Sequence, residues 1–234
     1  MSWQLHRYDH IEQAAQALTQ AIGDDLQRAL DTNERGLLLL SGGRSPLPLF
    51  AALARQNWPW SRIDVSLVDE RCVPDTHADA NLALLRRHLL QGPAAAARLL
   101  PLMVAQQNGE DRWHWAQRAA ANAAADPRLA RPAAVVLGFG NDGHTASLFA
   151  DAPQWPQAQH SAARYLALMP GQAAHARVSL SLPALIEQGR CYVWSSGADK
   201  LETLHQAQAG ALPGALAQLL AHPTVTLEMF HGDQ

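Results

Sequence analysis

Apolar residues recur at helical spacing from Ile11 through Ala15, Leu18, Ile22 and Leu26 to Leu30, which predicts an amphipathic helix. Gly36 then opens the short run Leu37-Leu38-Leu39-Leu40, closed by Ser41-Gly42-Gly43. Its shortness and the terminal glycine pair favour a buried strand over a helix. Ser45 is placed to cap a following helix with Pro46 at the first position, where a missing N–H costs nothing. The pattern repeats: Ile63–Val68 reads as a strand ending in Asp69-Glu70-Arg71, and a helix follows from Asp79 to Leu90. An alanine-rich helix around Asp111–Ala125 precedes a strand at Ala133–Phe139, which ends in Gly140-Asn141-Asp142-Gly143-His144. Cys191–Ser195 is a further strand, followed by Ser196-Gly197 and a helix that Asp199 is placed to cap with Glu202. Thr224–Phe230 supplies the last strand. Strands alternating with helices predict an α/β fold, a Rossmann-like and mostly parallel sheet with helices on both faces. No internal repeat or long linker interrupts it, and Ala152–Pro156 reads as a loop, so residues 1–234 are expected to form a single domain.

Composition narrows the function classes. The 234 residues carry 18 Lys+Arg against 21 Asp+Glu, a formal charge of −3, and no basic run exceeds Arg86-Arg87. Both facts argue against a nucleic-acid or membrane surface. With 48% apolar residues the chain is not intrinsically disordered. Cys72 and Cys191 are far apart, which excludes a disulfide framework or a Cys-x-x-Cys zinc site and suits a reduced, cytoplasmic protein. Residues 1–9 hold no apolar core of a signal peptide, and runs such as Leu37–Leu40 or Val135–Phe139 fall well short of the roughly 20 residues that cross a bilayer.

Polar and glycine residues gather at the carboxyl ends of the predicted strands, the edge at which open α/β sheets bind ligands. Ser41-Gly42-Gly43-Arg44-Ser45-Pro46, a glycine turn leading into a helix with an arginine beside it, suits a phosphate cradle better than an ordinary turn. Asp69-Glu70-Arg71 is either a solvated loop or a functional triplet in which Arg71 holds an oxyanion or a phosphate and the acids fix its fork. Cys72 beside it reads as a buried, inert thiol in preference to a reactive one. Gly138-x-Gly-x-x-Gly143 matches a dinucleotide fingerprint, but that reading requires an acidic residue about 20 positions on, and Gln157-Ala-Gln-His-Ser-Ala has none. His144 is expected at or near a helix N-terminus, where the dipole keeps the imidazole neutral and available as a base, with Asp142 orienting the ring. His6 and His10 have the i, i+4 spacing of a helical metal pair without a third ligand nearby, and no His-Glu-x-x-His is present, so no metal site is expected.

Taken in order, these motifs resemble those of the 6-phosphogluconolactonase family. The resemblance runs through Ser41-Gly42-Gly43, Asp69-Glu70-Arg71 with Val73-Pro74, Asn81, Gly138-x-Gly-x-Asp-Gly-His-Thr-Ala-Ser-Leu-Phe149, Arg177 and Gly197-x-x-Lys200. The aspartate–glycine–histidine segment is its most specific part. Arg44-Ser45 departs from the family's usual Ser-Thr before the proline, and Ala150 stands where proline is common. The resemblance implies a metal-free and cofactor-free hydrolase that opens 6-phospho-D-glucono-1,5-lactone in the oxidative pentose phosphate pathway. His144 would be the general base for water, oriented by Asp142, and Arg71, Arg177 and Lys200 would supply positive charge. Of these, Lys200, Arg177 and the Gly42–Ser45 loop (Gly42, Gly43, Arg44, Ser45) are assigned to the phosphate, Arg71 to the reacting carbonyl, and Asp69 to the substrate site. The chemistry agrees, because lactone hydrolysis needs an activated water and charge on the carbonyl oxygen. No Gly-x-Ser-x-Gly nucleophile elbow is present. A glucosamine-6-phosphate deaminase/isomerase is the rival reading, but that family tends to carry Asp-Glu-Tyr and Ile-Ala-Phe-Asn where this chain has Asp69-Glu70-Arg71 and Thr145-Ala-Ser-Leu-Phe149. A non-catalytic sugar-phosphate sensor would need a DNA-binding segment for which the chain has no room. The expected partner is a small sugar-phosphate lactone, with no nucleic acid or membrane, and the expected state is a monomer or weak dimer.

Overall fold

The computed structural model describes residues 2–171 and 173–233. The chain opens with β1 (Ser2–Tyr8), α1 (Ile11–Thr32), β2 (Gly36–Leu40), α2 (Leu47–Ala54), β3 (Ile63–Leu67), β4 (Asp69–Arg71) and α3 (Asn81–His88). It continues through β5 (Arg98–Leu99), α4 (Arg112–Ala125), β6 (Ala134–Leu137), α5 (Trp155–Ala158), β7 (Tyr165–Leu168) and β8 (Arg177–Leu180). It closes with α6 (Leu182–Glu187), β9 (Arg190–Ser196), α7 (Ala198–Gln208), α8 (Ala215–Ala221) and β10 (Thr226–Gly232). Seven strands pair in parallel in the order β1-β10-β9-β6-β2-β3-β5. No helix among the described residues is long and apolar enough to cross a membrane.

The α/β architecture follows from the apolar pattern. Every residue of β2, β3 and β6 is buried, as expected for strands covered on both faces. The stripe Ala14, Ala15, Leu18, Ile22, Leu26 and Leu30 is the buried face of α1, which packs on β10, β2 and α2. Two cap assignments are corrected. Pro46 takes the cap position of α2, and Ser45 instead accepts the Trp194 indole N–H on its carbonyl (2.9 Å). Gly197 precedes α7, so Asp199 lies inside its first turn, where its charge still suits the helix dipole. The edge strand β1 had no counterpart in the sequence reading. It pairs with β10 alone and so stands at the edge of the sheet, with Leu5 exposed.

A second sheet is the main addition. Strands β4, β8 and β7 form a separate antiparallel sheet, so Asp69-Glu70-Arg71 is not the tail of β3. The chain changes sheets at Val68, whose N–H donates to Leu40 (3.0 Å) while its carbonyl accepts from Leu180 (2.9 Å). Side chains alternate along a strand, so Asp69 and Arg71 face one way and Glu70 the other. Glu70 is buried, and its carboxyl accepts the main-chain N–H groups of Asn81 (2.8 Å), Leu82 (2.7 Å) and Arg71 (2.7 Å). The first two are free N–H groups at the start of α3, whose own flanking residue, Ala80, offers no side-chain cap. A residue eleven positions upstream of Asn81 therefore fixes where this helix begins.

Burial pushes the Glu70 carboxyl up to about 7, against the pull of its three N–H donors. Between the ordinary value of 4.5 and about 7 the folded protein then holds a proton that the unfolded chain releases. This contribution is complete below 4.5 and is lost as pH rises through 7. Urea midpoints of the wild type, measured relative to Glu70→Gln, are expected to fall across that window. A constant difference would show that Glu70 does not titrate there.

Candidate active site

The strand order reverses beside β2. The chain runs outward from β2 through β3 to β5, then returns to place β6 on the other flank. At such a switch point the loops leaving the two strands part and open a crevice. Here Ser41 Oγ accepts the Gly138 N–H (3.0 Å) across the gap, and a cavity of about 200 Å³ lies above it. The β2 loop contributes Ser41, Gly42 and Ser45 to its wall, and β4 contributes Asp69 and Arg71. Gly138–Gly140, His144 and Ala146 follow β6, Arg177 comes from β8, and Trp194 and Lys200 come from β9 and α7. Of the residues singled out from sequence, Gly43 and Arg44 lie outside this lining, with Arg44 exposed, and Asp142 reaches the cavity through His144.

No helix starts at His144. The segment closes on itself as a turn: the Gly140 N–H donates to the His144 carbonyl (2.9 Å), Phe139 and Thr145 form a bridge, and Thr145 Oγ1 donates to the Gly138 carbonyl (2.7 Å). The expected helix dipole is therefore absent, and the group beside the ring is the Asp142 carboxylate. Its Oδ1 lies 2.5 Å from His144 Nδ1, and that hydrogen bond holds the Asp142 carboxyl below the usual carboxylate range. A carboxylate only accepts, so Nδ1 carries the proton, and in the neutral ring it is Nε2 that holds the free lone pair. The ring stacks on Phe149 at 4.0 Å, which fixes its plane. Beyond the histidine, Ala146 has φ +50°, a left-handed conformation costly for a residue with a side chain. It is held between Thr145 and Ser147, and the Ser147 hydroxyl donates to Asp69 (2.5 Å).

Three cations face the cavity. Arg71 and Arg177 are directly opposite each other in the β4–β8 register. The acids do not hold the Arg71 fork, contrary to expectation. Glu70 points to α3 and Asp69 to Ser147, whereas the Arg71 Nη1 donates to the Asp79 main-chain carbonyl (2.6 Å). Arg177 is buried, which lowers its pKa, and its Nη1 donates to the His175 carbonyl (2.5 Å). Lys200, also lowered by burial, donates to the Phe139 carbonyl (2.7 Å) and to Asn141 Oδ1 (2.8 Å). One of the three ammonium donors is left for a ligand.

Asn81 is a site residue that the motif reading left without a role. Its Nδ2 donates to the Asp69 carbonyl (3.0 Å), and its buried Oδ1, on the cavity wall, has no hydrogen-bond partner among the described residues. A Cβ at Gly42 would collide with this amide, so the glycine is required by close approach. Other candidates fall away. His6 lies on β1 and His10 flanks the start of α1, so they share no helical face, and the described residues include no group of three His, Cys, Asp or Glu placed for a metal. Cys72 is a buried thiol raised to about 11 by desolvation, which makes it inert.

Comparisons with known proteins identify a family of similar chains. The sequence profile of the family described as glucosamine-6-phosphate isomerases/6-phosphogluconolactonase matches residues 9–226. A 6-phosphogluconolactonase of Neisseria meningitidis is 39% identical over 211 residues, covering 88% of each chain. One from Pseudomonas aeruginosa is 38% identical over 83% of this chain and 81% of its own. The crystal structure of a 6-phosphogluconolactonase from Shewanella baltica superposes with a TM-score of 0.85 at 31% identity, covering 97% of both chains.

The closure of the β6 loop makes a test possible without touching any charged residue. A Cβ at Gly140 would collide with both the Asp142 carboxylate and the His144 ring. Gly140→Ala is expected to push this pair apart and to lower kcat by at least about tenfold, since small displacements of a reacting group cost about 10²-fold. Steady-state kinetics with a thermal melt will check it. An unchanged kcat in a folded variant would show that the spacing of the pair is not critical.

Proposed function

Because the chain belongs to the glucosamine-6-phosphate isomerase/6-phosphogluconolactonase family, we propose that it hydrolyses 6-phospho-D-glucono-1,5-lactone to 6-phospho-D-gluconate, with water activated by His144. The observation that carries the mechanism is the His144–Asp142 pair on the wall of a cavity that also presents Arg71, Arg177 and Lys200. His144 Nε2 takes a proton as water adds to the lactone carbonyl, and Asp142 stabilises the imidazolium that forms. Arg71 faces the oxyanion of the tetrahedral intermediate. When the intermediate collapses, the ring C–O bond breaks and the imidazolium returns its proton to the leaving C5 oxygen. Water is thus added across the ester with no net change at the protein. Arg177, Lys200 and the Gly42–Ser45 loop hold the phosphate away from the reacting carbon. The hydrolysis belongs to the oxidative pentose phosphate pathway.

A covalent route has a possible set of groups and fails on access. Ser195 Oγ lies 2.9 Å from His231 Nδ1, and His231 Nε2 lies 3.3 Å from Asp233 Oδ1, the residue set of a hydrolase triad with the two ring nitrogens exchanged. Ser195 and His231 are buried at 2% and 0% exposure, however, and neither lines the cavity. A nucleophile there would meet no substrate, whereas His144 would.

Freshly prepared 6-phosphogluconolactone is expected to be hydrolysed, and glucosamine-6-phosphate to be left intact under the same conditions; the opposite result would favour the isomerase branch of the family. His144→Ala is expected to fold and to lose about 10²–10⁴ in turnover, the usual share of a general base.

The cations separate by kinetic signature. A phosphate contact is felt alike in substrate and transition state, so Lys200→Ala should chiefly raise KM. An oxyanion contact is felt in the transition state, so Arg71→Ala should lower kcat by about 10²–10³. Both variants are compared on phosphorylated and unphosphorylated gluconolactone. If Arg71→Ala loses only its preference for the phosphorylated substrate, the two roles are exchanged.

A further inference from the structure

The two arginines of the site are each anchored by a residue outside the cavity, and those two residues also bind one another. Asp79 lies in the segment between β4 and α3, and its main-chain carbonyl accepts from Arg71 Nη1 (2.6 Å). His175 lies just before β8, and its carbonyl accepts from Arg177 Nη1 (2.5 Å). The side chains of this pair meet as well, with His175 Nε2 3.0 Å from Asp79 Oδ2. That contact holds the Asp79 carboxyl below its usual range, so the acceptor is a carboxylate and Nε2 supplies the proton. His77 braces both partners: its Nδ1 accepts the Asp79 N–H (3.0 Å), and its ring meets the His175 ring nearly edge-on at 5.8 Å. The remaining nitrogen of His175, Nδ1, is buried without a hydrogen-bond partner among the described residues, so Nε2 makes the ring's polar attachment.

The arrangement answers a physical difficulty. Arg71 and Arg177 are directly opposite on adjacent strands, and the Arg177 pKa is lowered first by burial and then by the charge of Arg71. Both are long side chains with large rotamer freedom, so an unrestrained pair would splay apart until an anion arrived. Their carbonyl anchors restrain them, and those anchors sit in two loops remote in sequence, the first held near Asp79 by the Asn81 N–H on Glu70 (2.8 Å) and the second near His175 by the Cys72 N–H on the Ala176 carbonyl (2.8 Å). The Asp79–His175 hydrogen bond joins these loops.

We propose that Asp79 and His175 are positioning residues whose side-chain hydrogen bond sets the Arg71 and Arg177 guanidinium groups at the spacing the substrate requires. The identity of that substrate rests on the lactonase reading, whereas the positioning concerns any anion the arginines hold.

The test uses the full-length chain and four variants: His175→Ala, His175→Gln, Asp79→Ala and the double alanine variant. Each is measured for lactone kinetics, for inorganic phosphate affinity by calorimetry, and for thermal stability. Either single alanine variant is expected to raise KM and to weaken phosphate binding by about tenfold, the scale of one hydrogen bond to a charged group. The double variant should be no worse than the singles, because both remove the same contact. His175→Gln, whose amide N–H can take the place of Nε2, should recover most of the loss. A general folding defect would lower kcat with the active fraction and leave KM unchanged. Unchanged KM and phosphate affinity in a folded single variant, or fully additive losses in the double variant, would overturn the proposal. If His175→Ala does not fold, Asp79→Ala probes the same bond from its exposed side. If the wild type binds phosphate but shows no lactone hydrolysis, the assigned function fails while the phosphate measurements still decide the positioning.

Discussion

Two neighbouring carboxylates, buried where the chain passes from one sheet to the other, constrain the rest of the site. Neither Asp69 nor Glu70 is tolerable out of water without donors, and each obtains them from a different loop. Glu70 takes the first N–H groups of α3, which brings Asn81 to the cavity wall. Asp69 takes the Ser147 hydroxyl, which secures the far end of the segment that carries His144. Withdrawing either loop would leave a buried acceptor unsatisfied. The cavity therefore keeps its polar groups aimed before any substrate arrives, the condition under which fixed dipoles and charges act on a reacting carbonyl at no reorganisation cost.

Much of this was legible in the sequence, and for identifiable reasons. The run Leu37–Leu40 is short and closed by a glycine pair, which favours a strand buried on both faces, and the stripe from Ile11 to Leu30 has the spacing of a helix facing a core. Their order implies the parallel sheet, and the glycine and polar residues at their ends mark the edge that holds the cavity. The family resemblance added Arg177, which no local pattern would have distinguished from a solvated arginine before a short strand.

What was not legible depends on geometry that adjacency in sequence conceals. Asp69, Glu70 and Arg71 look like one cluster, but successive strand residues face opposite ways, so the acids serve two different loops and the arginine is held by a carbonyl eight residues on. The three-residue β4 is too short to show a period of its own, so in sequence it is indistinguishable from the tail of β3. Glycines around His144 suited a strand-to-helix turn, yet the hydrogen bonds between Gly140 and His144 close a tight loop first. The group beside the imidazole at that point is a carboxylate in place of a helix dipole.

Ala146 carries a consequence for how such a protein can change over generations. Its left-handed backbone stores on the order of 1–2 kcal/mol, and it sits between two tethered neighbours on the wall of the cavity. Glycine at this position would release that energy at a partly offsetting cost in chain entropy. It would also slacken the span between His144 and the Asp69 anchor. Selection for a sturdier fold and selection for a faster catalyst would then act in opposite directions on one methyl group.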